Sequence, residues 1–244
     1  MHRALLFLIL VMISSVVNAE PVRVAVASNF LATLNVLVPL YEQQSGNRLV
    51  ISSGSSGKLY AQIMHGAPYD VFLSADAYYP DKLVEQDKAL EHTNITYARG
   101  VLVLWAREAS LINAKFLHQK EVKHIAIANP KTAPYGLAAQ QALRNMDIFD
   151  RVKHKFVKGE NVGQAFQFVA SGNAQIGFVA LSQVLNPNNT FHQQYWQIPL
   201  QYYEPIEQQA VVIKRKKDQA AAKQFMNFLM SAEARRIIKE FGYL

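Results

Sequence analysis

Runs of apolar, β-branched residues alternate along this chain with segments whose apolar positions recur at helical spacing. The pattern predicts strands over 22–27, 48–52 and 70–74, interleaved with helices over 30–44, 56–65 and 77–86. Such alternation builds βαβ units on a parallel sheet. The plan then changes. Residues 95–106 (ITYARGVLVLWA) are long for one strand, and 207–214 (EQQAVVIK) form a second extended segment far downstream. Between them runs a second alternating series: strand 123–128, helix 134–146, strand 154–157, helix 161–170, strand 175–179. After it, 218–241 is alanine-rich and helical, with Ala222, Phe225, Phe228, Leu229 and Ile237 on one face. A chain that starts one lobe, inserts a second and returns needs two crossovers, and the two extended segments supply them side by side. The expected fold class is therefore α/β in two lobes, each a mainly parallel sheet flanked by helices. Lobe I is discontinuous, 20–98 plus 208–244, and lobe II is 99–207. Lobes joined by paired strands can hinge.

Four strand-to-helix junctions carry small or polar residues: Ser28-Asn29, Ser53-Gly54-Ser55-Ser56-Gly57, Asn129 to Gly136, and Glu160-Asn161-Val162-Gly163. A helix N-terminus presents unsatisfied amide donors and a positive partial charge, so several converging on one point form an anion receptor without a basic side chain. Singly, Ser28, Ser53, Ser55, Ser56 and Asn161 read as helix caps; their recurrence at several junctions favours the receptor. Gly57-Lys58 fails as a phosphate loop, because Ser52 replaces its first glycine and Leu59 its Ser or Thr.

The N-terminus says where such a receptor works. His2 and Arg3 precede an apolar run over 4–17, and Val17-Asn18-Ala19 places small residues at the −3 and −1 positions of a signal-peptidase site. Residues 1–19 are read as a cleavable secretion signal, since the apolar stretch falls short of the roughly 20 residues of a membrane span. The mature chain is then soluble and periplasmic. Cysteine is absent, which excludes disulfides, cysteine metal sites and thiol catalysis. The formal charge is +7, or +6 without Arg3. The basic run Lys214-Arg215-Lys216-Lys217 is read as a solvated turn between strand and helix, with no nucleic-acid partner. His65, His92, His118, His124, His154 and His192 are dispersed, so no metal site is expected. Asp70 and Asp76 are read as structural, Asp76 capping a helix, and no GxSxG elbow marks a hydrolase. Tyr195-Trp196 and Tyr202-Tyr203 are read as core or hinge packing.

The segments VAVASNFLATL (24–34), GSSGKLYAQIMHGAPYDVFLSAD (54–76), YARGVLVLWA (97–106) and GENVGQAFQFVASGNAQIGFVALSQV (159–184), with the ending FGYL, span the mature chain in order. They resemble the periplasmic molybdate-binding proteins of ABC importers, most specifically in the serine loop followed by QI-x-x-GAP-x-D-x-F-x-SAD. The resemblance implies the type II periplasmic-binding-protein fold with a molybdate or tungstate ion enclosed between lobes, and no catalysis or cofactor. It also implies an inner-membrane permease with a cytoplasmic ATPase as partners, and a monomeric receptor. By position, the family's two serine donors fall on Ser28 and Ser56, and its two lobe II amide donors on Tyr135 and Val162. Asn29, Ser55 and Asn161 form a second tier. One departure stands out: many members place a tyrosine hydroxyl on the ion where this chain has Ala180.

A fully ionised tetrahedral dianion offers acceptors only, so a site of donors with no carboxylate suits it. Phosphate, which keeps a proton, would call for an acceptor. Two alternatives follow: a same-fold receptor for another small anion, prompted by Ala180, and a secreted enzyme on this scaffold, which would need a general acid or base beside the anion. A cytoplasmic sensor domain is disfavoured by the secretion signal.

Overall fold

Strand β1 (Val22–Ala27) is buried along almost its whole length, as a central parallel strand covered on both faces must be. Val24 and Val26 face one core cluster with Leu34, Leu37 and Phe225, while Ala25 faces another with Leu59, Ile63 and Phe72. Strand alternation thus sends successive residues to helices on opposite faces. The computed structural model describes residues 20–108, 112–191 and 194–244. The secretion signal read at 1–19 and His192 lie outside the described residues.

The chain continues through α1 (Leu31–Ser45), β2 (Leu49–Gly54), α2 (Ser56–Met64), β3 (Val71–Leu73), α3 (Tyr78–Glu85) and β4 (Ile95–Gly100). Next come β5 (Leu102–Trp105), β6 (Ile125–Ala128), α4 (Pro134–Asn145), α5 (Phe149–Val152), β7 (Phe156–Gly159), α6 (Val162–Ala170), β8 (Ile176–Ala180) and α7 (Leu181–Val184). Strands β9 (Tyr195–Gln197) and β10 (Ile206–Val212) and helices α8 (Ala220–Leu229) and α9 (Ala232–Glu240) complete it. Two five-stranded sheets result, ordered β2-β1-β3-β10-β4 and β7-β6-β8-β5-β9. In each, three parallel strands are followed by one reversed strand, β10 or β5, and then by an edge strand, β4 or β9, that runs with the first three. The sheets repeat one plan, with β1 and β6 in equivalent central places.

The 95–106 stretch, too long for one strand, is two. The chain leaves the first sheet at Gly100 and enters the second at Leu102, with only Val101 between. The return runs beside it: Ile206 pairs with Gly100, and the main-chain N–H of Leu102 donates to the Tyr203 hydroxyl at 3.2 Å. Tyr203 therefore belongs to the hinge, as its sequence suggested, while Tyr195 and Trp196 lie on an edge strand. The single helical stretch expected over 218–241 is divided because the Ser231 hydroxyl accepts from the Ala234 N–H at 3.2 Å and starts α9 afresh.

Several surface expectations also resolve. Lys214 pairs with Asp87, and Lys217 with Glu20 at 3.1 Å and with the buried Asp70 at 3.1 Å, so two members of the basic run tie the fold together. Asp70 also accepts from the Arg23 N–H at 2.8 Å. Among the described residues no helix is long and apolar enough to cross a membrane.

Candidate anion-binding site

Parallel pairing decides where the site lies. Ala27 is in register with Gly54 on β1 and β2, and Ala128 with Gly159 on β6 and β7. The four junctions therefore leave the carboxyl ends of their strands as two adjacent pairs, one per sheet, which is where open α/β sheets bind ligands. Between the pairs is a small cavity lined by Ser28, Asn29, Ser55, Ser56, Tyr135, Asn161 and Val162, with Ala27, Gly54, Ala75, Ala133 and Pro134. All seven residues singled out from sequence meet there. The cavity volume is only about 10 Å³, far below the ~300–1,000 Å³ of sites for drug-sized ligands.

Hydrogen-bond accounting separates the seven. The Ser28 hydroxyl oxygen accepts from the Gly163 N–H at 3.0 Å, and the Ser56 hydroxyl oxygen accepts from the Ala75 N–H at 3.0 Å. Both serines are thereby oriented by an accepted bond, and each keeps its own proton to donate. Neither caps a helix. Tyr135 and Val162 stand in the first turns of α4 and α6, where main-chain N–H groups have no intrahelical acceptor. Among the described residues their N–H groups, and those of Asn29 and Ser56, have no protein acceptor. Two hydroxyls and at least these four main-chain amides, from both lobes, remain to meet a guest.

The second-tier side chains are engaged elsewhere. Asn161 Oδ1 accepts from the Gln164 N–H at 2.9 Å, so its side chain is the helix cap that a bland reading gives it. Ser55 donates to Glu160 Oε1 at 3.0 Å. Asn29 Nδ2 donates to Gln208 Oε1 at 2.9 Å and to the Tyr243 hydroxyl at 3.0 Å, which leaves its main-chain N–H as its free donor. The Tyr135 hydroxyl, whose reach the sequence could not give, accepts from Gln208 Nε2 at 3.3 Å near the hinge. Burial pushes the Tyr135 phenol well above its usual range, so it stays neutral. Around Ala180, a fully buried residue, the side chain of Gln183 bridges the gap: its Oε1 accepts from the Ala180 N–H at 3.0 Å and its Nε2 donates to the Val162 carbonyl at 3.2 Å. Gln183 thus braces the first residue of α6.

Among the described residues no ionised side chain lines the cavity. The nearest charge in the bond network is Glu160, which reaches across the cleft from lobe II to Ser55 and to Lys58 Nζ at 3.4 Å. Partial burial opposes its ionisation, but the Ser55 hydroxyl and the Lys58 charge outweigh that and hold its carboxyl below the usual range. The lobes also meet where the Gly57 N–H donates to the Thr132 carbonyl at 2.9 Å. Asp76, half-buried beyond Ala75, accepts from Ser74 at 2.8 Å and from the Tyr79 N–H at 3.2 Å at the start of α3; desolvation raises its carboxyl to about 6. It serves the helix start, as its sequence position implied.

Glu160, Gln183, Gln208 and Tyr243 were not singled out as site residues from sequence. The partners lie 105 residues apart for Ser55–Glu160 and 214 for Asn29–Tyr243, so no local pattern marks Glu160 or Tyr243, whereas Gln183 bonds Ala180 three residues back as well as Val162.

Comparison with known proteins agrees with this geometry. The family model for bacterial extracellular solute-binding proteins matches residues 22–244. The molybdate-binding protein ModA of Azotobacter vinelandii is 41% identical over 228 residues, 93% of this chain and 90% of that protein. Its counterpart in Rhodobacter capsulatus is 40% identical over 227 residues, 93% of this chain and 89% of that protein. The solved structure of the Azotobacter vinelandii periplasmic molybdate-binding protein superposes with a TM-score of 0.87 at 44% identity, covering 91% of this chain and 98% of that one.

Proposed function

The chain belongs to the bacterial extracellular solute-binding proteins, and within them to the molybdate-binding proteins; we propose that it captures molybdate or tungstate in the periplasm and delivers the ion to an ABC permease. The observation that carries this reading is the donor set: Ser28 and Ser56 hydroxyls with the main-chain N–H groups of Asn29, Ser56, Tyr135 and Val162, around a cavity no carboxylate lines. An acceptor-only dianion fits such a lining, and each hydrogen bond to a charged group contributes about 1.5–3 kcal/mol. A proton-bearing phosphate finds no carboxylate among the lining residues to take its proton. Rejection of sulfate, with the same charge and shape, rests on cavity size.

Donors from two lobes acting on one ion make binding and closure one linked equilibrium, so the ion stabilises the closed form by its differential affinity for it. The permease, with its cytoplasmic ATPase, then reads the closed form. On this reading the receptor acts as a monomer, carries no cofactor and catalyses no reaction, in keeping with a lining without His, Lys, Asp or Glu. Residues 1–19 direct export and are removed.

Calorimetry with molybdate, tungstate, sulfate, phosphate and small carboxylates tests the reading. Tight binding of molybdate or tungstate at one ion per chain, with sulfate at least about a hundredfold weaker, equivalent to ~2.7 kcal/mol, is the expected result. Equal binding of sulfate, or preference for a carboxylate, overturns it. Native mass spectrometry of protein from the periplasm gives a second reading, because a retained ion reports its own mass.

Lys58 supplies a further prediction. In Lys58→Met the Glu160 charge stands uncompensated beside a dianion, and the ion pair across the cleft is lost; both effects weaken binding. Affinity is expected to fall about three- to fivefold at low ionic strength and to approach wild type in high salt, given the ~0.2–1 kcal/mol of exposed pairs and their screening. Adding Glu160→Gln should recover part of the loss. Calorimetry at two salt concentrations checks both.

A further inference from the structure

The next-to-last residue of the chain reaches the back of the anion site. Gly242, in the left-handed region at φ 81°, turns the chain after α9, and a side chain there would strike Leu181 and Leu185 of lobe II at 2.8 Å. Leu244 then pairs with Arg99 on the edge strand β4 through two main-chain bonds of 3.0 Å. Between these anchors the Tyr243 ring packs edge-on against Phe30, with centroids 5.5 Å apart.

Its hydroxyl stands in a closed loop of buried groups. Ser182 of lobe II donates to the Asn29 carbonyl at 2.9 Å, and the Tyr243 oxygen lies 2.9 Å from the same carbonyl and 3.0 Å from the Ser182 hydroxyl. Asn29 Nδ2 returns a hydrogen to the Tyr243 oxygen at 3.0 Å. The proton count closes: a carbonyl oxygen has two lone pairs and takes both hydroxyl protons, while the phenol oxygen accepts from the amide. Burial pushes Tyr243 up to about 12, so the proton stays on. Asn29 is therefore gripped at both its side chain and its carbonyl, next to the Ser28 hydroxyl and carrying one of the free N–H donors. The Ser182 bond crosses between lobes and exists only while they are together.

We propose that Tyr243 is a positioning residue for anion capture: it orients the Ser28–Asn29 turn and, with Ser182, clasps the lobes behind the bound ion. The proposal rests on the receptor reading above. The clasp acts after closure, so it governs release more than entry. A buried loop of this kind is also cooperative, so removing either hydroxyl undoes most of it.

The experiment uses the full mature chain with Tyr243→Phe, Ser182→Ala, the double variant, and Tyr41→Phe as a control. Tyr41 is also a buried lobe I tyrosine whose hydroxyl donates to the Ala221 carbonyl at 3.1 Å and accepts from Asn47 Nδ2 at 3.4 Å, but it lies away from the cleft. Stopped-flow with molybdate should show release about tenfold faster in Tyr243→Phe with entry unchanged within about twofold, the size expected for one buried hydrogen bond. The double variant should be little worse than the worse single, and Tyr41→Phe should release at the wild-type rate. Hydrogen exchange at the Gly57 and Gly163 amides, both donors across the cleft, should quicken in Tyr243→Phe whichever anion is bound. Wild-type release and exchange in Tyr243→Phe, additive single effects, or a reduced fraction of active sites with a normal release rate would each overturn the proposal. Failure of the wild type to bind molybdate counts against the receptor reading alone, and amide exchange then decides on Tyr243.

Discussion

Gly57→Leu is expected to weaken molybdate binding by at least about a hundredfold while the anion-free protein stays folded. Gly57 sits in the first turn of α2 on lobe I, and its N–H reaches the Thr132 carbonyl of lobe II at 2.9 Å. A Cβ there would lie 2.5 Å from the Tyr79 hydroxyl and 3.1 Å from the Thr132 Cα. The tyrosine hydroxyl is the far end of a side chain of the same lobe and can move. The Thr132 main chain cannot, except by opening the cleft. A leucine side chain is therefore a wedge carried by one lobe against the other. Propped open, the site loses the Tyr135 and Val162 amides from the ion, and at ~1.5–3 kcal/mol for each bond to a charged group the loss is about 10²–10⁴-fold. The open protein should not suffer, because leucine is a better helix former than glycine by ~1 kcal/mol. Two measurements decide it. Calorimetry should find little binding, and thermal unfolding should find an anion-free midpoint at or above wild type with the ligand-induced rise gone. Affinity within tenfold of wild type would mean that the lobes do not need to approach this closely.

What could be read from the sequence, and what could not, follows from the range of the signals. The four junctions are local: periodicity switches from strand to helix, and serine, asparagine and glycine mark the turn. That Ser28, Ser55, Ser56, Tyr135, Asn161 and Val162 share one cavity follows once parallel strands bring their carboxyl ends together. The break at Val101 was hidden because the stretch is apolar on both sides, although its length pointed to two strands. The break at Ser231 had a signal, a serine three residues before Ala234, but an alanine-rich helical run masked it. The division of labour among donors had no signal at all. Whether Ser55 gives its proton to an ion or to Glu160 depends on a residue in the other lobe, and the same holds for Asn29 with Gln208 and Tyr243. Ala180 illustrates the limit from the other side. Sequence marks a missing hydroxyl, whereas structure shows Gln183 bracing the α6 terminus from the same place and the Tyr135 hydroxyl committed to Gln208.

The serines supply the second large effect. Ser28→Ala and Ser56→Ala should each weaken molybdate binding about 10- to 150-fold, following the ~1.5–3 kcal/mol of a hydrogen bond to a charged acceptor. The double variant should approach the product of the two, because the hydroxyls are oriented by separate partners, Gly163 and Ala75. The two changes should differ in kind. Ser28→Ala also removes the bond from the lobe II amide of Gly163, so it weakens closure along with binding and should speed release more. Ser56→Ala instead leaves the buried Ala75 N–H without its acceptor inside lobe I, so it should cost stability of the anion-free protein, about 1–3 kcal/mol for an unsatisfied buried donor. Threonine keeps the hydroxyl, so Ser28→Thr, at the more open of the two positions, should retain more binding than alanine. Calorimetry, release kinetics and unfolding of the anion-free variants together separate these outcomes. If both single variants bind within threefold of wild type, the main-chain amides alone hold the ion and the hydroxyls serve only to join one part of the protein to another.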